Sequence, residues 1–129
     1  MPPMKTGRKR PTDSELAILR VLWARGASTV RQVAEALGHE TGYTTSLKLL
    51  QIMTEKGLVR RDERARTHVY EAASTEGQMQ RRLVSDLLHR AFGGSTSKLV
   101  LQALASTRTS PGELAAIKRF LDKKRGGSK

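Results

Sequence analysis

The sequence predicts a mainly α-helical fold carrying one small β-hairpin near the middle of the chain. Three observations lead there. Apolar side chains recur at helical spacing in six stretches, and several of these open with a hydroxyl residue answered three positions later by Glu or Gln. The run from Tyr43 to Tyr70 passes from that helical period through a glycine into β-branched and aromatic residues flanked by arginines.

The first helix spans Asp13 to Arg25. Thr12-Asp13-Ser14-Glu15 has capping-box form, Leu16, Leu19, Leu22 and Trp23 follow at helical steps, and Gly26 ends the run. Thr29-Val30-Arg31-Gln32 repeats the capping pattern and opens a short second helix with Val30, Val33, Ala34 and Leu37 on one face and Gly38 as its stop. The third, from Tyr43 to Lys56, places Leu47, Leu49, Leu50 and Met53 on a broad apolar arc opposite a stripe of Thr44, Lys48, Gln51 and Glu55. Gly57 closes it, and Leu58, Val59, Thr67, Val69 and Tyr70 supply the strands of a hairpin. Helix, turn, short helix, loop, helix and hairpin in that order make a helix-turn-helix followed by a β-wing.

Residues 73–129 have a different character. Thr75-Glu76-Gly77-Gln78 opens a helix carrying Met79, Leu83, Leu87, Leu88, Ala91 and Phe92, which Gly93-Gly94 breaks. A second helix from about Thr96 to Ser106 carries Leu99, Val100, Leu101 and Leu104. The third starts at Ser110-Pro111-Gly112-Glu113, with Leu114, Ile117, Phe120 and Leu121 on one face. A segment this short buries a small fraction of its surface alone, so three apolar-striped helices predict packing against a second copy; folding back on the amino-terminal part as a monomer is the other arrangement. The expected division is thus a basic flexible arm (1–11), a winged-helix domain (12–72) and an α-helical dimerisation domain (73–129). The interface candidates are Leu83, Leu87, Leu88, Leu99, Leu104, Ile117, Phe120 and Leu121.

Composition narrows the function classes. The 129 residues include no cysteine, which excludes disulfide frameworks, thiolate metal sites and cysteine nucleophiles. No apolar run reaches membrane-spanning length and the start MPPMKTGRKRP is not a signal peptide, so a cytoplasmic location is expected. A net charge of +12 points to a polyanionic partner. That charge does not locate the partner's face, because residues 1–71 carry +5 and residues 72–129 carry +7. An aromatic share of 4% argues against single-strand binding by base stacking. His39, His68 and His89 lack ligand spacing, and neither a nucleophile elbow nor a phosphate-cradling glycine loop occurs, so no enzyme, cofactor or metal site is expected.

From Pro11 to Tyr70, VLW at Val21 to Trp23, YTT at Tyr43 to Thr45, LLQIMTEKGLV at Leu49 to Val59 and HVY at His68 to Tyr70 resemble the penicillinase repressor (BlaI/MecI) family. FGGSTSKLVLQAL at Phe92 to Leu104 and the SPGEL helix extend the resemblance over nearly the whole chain. It implies a homodimeric winged-helix repressor that binds a palindromic DNA operator and is often paired with a membrane metalloprotease sensor whose signalling leads to repressor cleavage. In relatives with such a sensor the cut falls at an Asn-Phe bond, to which Gln102-Ala103 correspond here. Ala65 stands where the family's wing usually has glycine. Copper-responsive relatives use a cysteine pair, which this chain lacks.

Residues near the amino end of a recognition helix reach base edges, which makes Thr44, Thr45, Ser46 and Lys48 the foremost candidates, with Gln51 one turn deeper. Lys48 suits guanine or a phosphate, and the backbone is favoured because most protein hydrogen bonds to DNA go there. Thr29 and Arg31 at the start of the second helix suit a phosphate. Arg64 and Arg66 on the wing suit the backbone or an adjacent minor groove, although a run of charges is also what a solvated turn looks like. The Arg8-Lys9-Arg10 arm is open between a minor-groove contact and a solvated tail. A reading of another class stays beside this one: a basic winged-helix module for RNA or protein, without an operator of its own.

Overall fold

The computed structural model describes residues 10–38 and 41–127. Its elements run α1 (Asp13–Arg25), β1 (Ser28–Thr29), α2 (Val30–Leu37), α3 (Gly42–Lys56), β2 (Val59–Asp62), β3 (Val69–Ala72), α4 (Glu76–Ala91), α5 (Thr96–Ser106) and α6 (Pro111–Gly127). Together these form a winged helix followed by helices. The chain divides into two compact units, Met1–Leu83 and Val84–Lys129. Arg8, Lys9 and most of the expected arm lie outside the described residues, as does His39.

Local chemistry sets the helix starts. In α1 the Thr12 hydroxyl accepts from the Glu15 N–H while the Glu15 carboxylate accepts from the Thr12 N–H, at 3.2 and 2.9 Å. Thr29 and Gln32 do the same for α2, Thr75 and Gln78 for α4, and Ser110 and Glu113 for α6. Each reciprocal pair satisfies two backbone donors that a helix start leaves open. At the other end of α3, Gly57 takes a left-handed conformation with φ of 81°, and the N–H of Leu58 bonds back to the Met53 carbonyl at 2.9 Å. That closure turns the chain from α3 directly into β2.

The sheet is antiparallel with strand order β1-β3-β2. β2 and β3 pair from Val59 opposite Ala72 to Asp62 opposite Val69, giving the wing that the sequence predicts. β1 adds an unexpected third strand, with Ser28 opposite Tyr70 and Thr29 opposite Val69. Two residues are too few to show the alternation by which strands are read. The added strand joins the loop before α2 to the wing.

The first unit's core gathers Ile18, Leu19 and Leu22 from α1, Val33 from α2, Leu50 and Met53 from α3, Leu58, Val59 and Tyr70 from the wing, and Met79 from α4. Leu83, expected at the dimer interface, is half-buried and packs against this core, because the helical period sets it one turn beyond Met79 on the same face. Trp23 donates its indole N–H to the Ser74 carbonyl at 2.9 Å, tying α1 to the segment before α4. A charged contact also crosses the unit: Lys56 Nζ at the end of α3 lies 2.6 Å from the buried Glu15 carboxylate.

The second unit, described by itself, buries none of its described side chains. Val84, Leu87, Val100, Leu101, Leu114, Phe120 and Leu121 are exposed, with Phe120 and Leu101 at 64%. Leu88, Leu99, Leu104 and Ile117 are half-buried. Each uncovered side chain of this size forgoes on the order of 2 kcal/mol of burial.

The Glu15 contacts yield a stability prediction. Glu15→Ala removes both a cap acceptor and the partner of Lys56, and is expected to lower the unfolding free energy by about 2 to 3 kcal/mol in urea denaturation. Glu15→Gln keeps an acceptor for the Thr12 N–H and is expected to cost less; equal losses in the two variants would remove the cap from the account.

Candidate nucleic-acid interface

The sequence-derived candidates concentrate where α2, α3 and the wing meet. On α3, Thr44, Thr45, Lys48 and Gln51 are exposed, forming the polar row expected at the amino end and first turns of a reading helix. Tyr43 begins that row and is half exposed. Ile52 extends the same exposed side with an apolar surface.

Ser46 requires a correction. Its side chain is fully buried and its hydroxyl donates to the Gly42 carbonyl at 2.8 Å, so it has neither the exposure nor the free donor of a base contact. The reason is angular: Ser46, Leu50 and Met53 are spaced four and three residues apart and share the inward face. A short hydroxyl is tolerated there because the preceding turn's carbonyl accepts its proton.

Thr29 is half-buried and spends its hydroxyl on the α2 cap, which leaves Arg31 as the exposed cation of that helix start. The Arg31 guanidinium lies 6.0 Å from the centroid of the Tyr43 ring, at the outer range of a cation–π contact. Below this pair opens a cleft of about 590 Å³, with Thr29, Arg31, Tyr43, Arg66, His68 and Tyr70 among its walls. Tyr43 and His68 were not among the site candidates. Tyr43 was legible as the aromatic residue that begins the α3 row, whereas the position of His68 depends on how the wing folds toward α2.

The wing arginines differ sharply in their partners. Arg64 forms a two-pronged contact with Asp62, 3.0 Å from Nε and 2.8 Å from the second guanidinium nitrogen, and its backbone N–H also donates to Asp62 at 3.0 Å. Arg61 pairs with Glu63, and Arg60 with Glu71. Arg66 forms none of these pairs. The turn before Ala65 is thus organised by the Asp62 side chain, which folds back on the backbone two residues ahead. Arg64 is exposed but already engaged, while Arg66 and Arg31 carry no carboxylate partner among the described residues.

In the second unit Gln102 and Ala103 are both exposed on α5. Among the described residues no group of three His, Asp or Glu side chains is arranged to hold a metal ion, and no helix is long and apolar enough to cross a membrane.

The sequence model of the penicillinase repressor family matches residues 11–123. Two curated relatives, each described as transcriptional regulator BlaI and each from a strain of Mycobacterium tuberculosis, are 31% identical over 112 residues, covering 84% of this chain and 80% of their own. Among solved structures, a mutant of Lactococcus lactis ZitR aligns over 100% of this chain and 82% of its own, at 19% identity and a TM-score of 0.46.

The wing makes a pH prediction. The Arg64 side chain first, and its backbone N–H second, hold the Asp62 carboxyl below its ordinary range, at about 2. A depressed carboxylate contributes its contact fully above its ordinary pKa of 3.8 and loses it as pH falls through about 2. Titration of the Asp62 carboxyl carbon by NMR is expected to show that low midpoint, and Asp62→Asn to leave the Arg64 guanidinium mobile at neutral pH. A midpoint near 3.8 would mean the contact does not persist in solution.

Proposed function

The chain belongs to the penicillinase repressor family of transcriptional regulators, and on that footing we propose that it acts as a homodimeric repressor reading a palindromic duplex operator. The observation that carries the reading is the exposed row Thr44, Thr45, Lys48 and Gln51 on α3, which begins at Tyr43 beside the cleft that Arg31 and Arg66 line. The threonine methyls and hydroxyls suit base edges in a major groove, and Gln51 suits adenine. Lys48, Arg31 and Arg66 fix register on the phosphates. Arg64 serves mainly to shape the wing, since a phosphate must first compete with Asp62 for it.

Dimerisation draws its support from the second unit. Apolar side chains on α4, α5 and α6 that the described part of that unit leaves exposed or half-buried are what a partner copy would bury, with Leu87, Leu88, Leu99, Leu104, Ile117, Phe120 and Leu121 as the central contacts. A two-fold dimer presents two copies of α3, which calls for half-sites about one helical turn apart and hence a palindrome. Relief of repression would act on α5, either by cleavage at Gln102-Ala103 through a membrane metalloprotease sensor or by a sensor's contact with that helix. Both residues are exposed.

Selection from random duplexes followed by competition at physiological salt tests the reading. A repressor is expected to prefer its operator over random DNA by a factor on the order of 10³ or more. Thr45→Ala is expected to relax base preference, whereas Arg66→Ala weakens all duplexes and flattens the salt dependence. Equal binding to all duplexes, or preference for RNA, would favour a general nucleic-acid module instead.

Sedimentation tests the oligomer separately. The parent chain is expected to be dimeric at micromolar concentration, and Leu87→Asp to weaken association by about 3 kcal/mol or more, because it leaves an unpaired charge in the interface. A monomeric parent chain would remove the dimer from the proposal.

A further inference from the structure

Two hollows among the described residues of the first unit each gather more than one arginine, and they differ in one respect. The hollow at the wing face holds Arg60, Arg61 and Arg64 together with Asp62, Glu63 and Glu71, so each cation there faces an acid of the same hairpin. The cleft between α2, α3 and β3 brings together Arg31, Arg66 and His68, and none of the described residues on its walls is a carboxylate. The first is internally neutralised. The second is a concave, cationic site in which neither Arg31 nor Arg66 has a carboxylate partner among the described residues.

We propose that this cleft seats one backbone phosphate of duplex DNA, and that His68 takes up a proton when the phosphate is bound. The proposal rests on the DNA-binding reading above and assigns two residues that it leaves without a role. Tyr43 is a positioning residue: its ring lies beneath the Arg31 guanidinium, so the long side chain is partly ordered before any ligand arrives and less freedom is lost on binding. Arg66 offers its guanidinium from the wing side of the same cleft.

His68 supplies the linkage. The groups that face it across the cleft are Arg31 from α2, Tyr43 from α3, Arg66 from its own hairpin and Tyr70 from β3; none is an acid. A phosphate placed among them would be an anion beside the imidazole where the described residues of the cleft supply none. An opposite charge within about 4 to 6 Å favours the charged imidazole, and linkage requires that protonation strengthen phosphate binding by the same factor. The proton comes from solvent and stays on the ring while the duplex is bound, so affinity is greatest at low pH and declines as pH rises through the histidine range.

Calorimetry of the full chain with its selected duplex, in two buffers of different ionisation enthalpy, tests this directly. The expected result is uptake of up to about one proton per cleft and an affinity that rises up to about tenfold from about pH 8 to about pH 6. His68→Gln is expected to abolish both effects, and His68→Lys to bind tightly at either pH with no uptake. His89→Gln, on α4 and outside the cleft, keeps the parent's behaviour. Tyr43→Phe retains affinity while Tyr43→Ala loses it, and a duplex carrying one neutral methylphosphonate is expected to lose proton uptake at one phosphate position per half-site. Proton uptake that survives His68→Gln overturns the proposal. A chain that selects a duplex without taking up a proton overturns this inference alone, whereas a chain that selects no duplex overturns the DNA-binding reading as well.

Discussion

Glu15 ties the beginning of one helix to the end of another. Its carboxylate accepts the Thr12 N–H at 2.9 Å and holds Lys56 Nζ at 2.6 Å, so one buried group both starts α1 and anchors the last turn of α3. Immediately after Lys56 comes Gly57, whose left-handed backbone aims β2 and therefore the wing. The direction of α3 and the departure angle of the hairpin are set at this one junction. An isolated buried carboxylate would be strongly unfavourable; here the amide and the ammonium together satisfy it, and neither alone would.

From that junction outward the first unit divides its labour between packing and display. Leu50, Met53 and Ser46 turn inward from α3, which leaves Thr44, Thr45, Lys48 and Gln51 outward at a fixed phase. Display on a helix is a consequence of what its other face buries, and a helix held by Leu50 and Met53 cannot rotate its polar row without uncovering them. The third strand acts in the same way on the wing: pairing Thr29 with Val69 couples the cap of α2 to the strand that follows Arg66 and His68.

Much of this was legible in the residues. The capping boxes at Thr12, Thr29, Thr75 and Ser110 each appear where the spacing places them, because the bonds involved span only three residues and need no tertiary context. Ser46 was misplaced because residue type was weighed above angular phase, although its position four residues before Leu50 already pointed inward. Leu83, grouped by its period with the interface candidates, packs against the first unit's core while half-buried: one helix carries two successive apolar environments, and periodicity cannot say where one ends. The glycine-free wing turn was not legible at all, since the Asp62 contact that organises it depends on side-chain geometry within a charged run that reads equally well as solvated surface.

The cap chemistry has a consequence for assembly. The described part of the second unit has no buried side chain to hold its helices, yet α6 begins at a reciprocal Ser110–Glu113 pair and α5 at a Ser95 hydroxyl that accepts from the Lys98 N–H at 3.2 Å. Their starting points are therefore written into the chain itself. A surface that comes to cover Leu101 or Phe120 meets helices whose first turns are defined by their own side chains, so the register of what it covers is set locally and not by the partner.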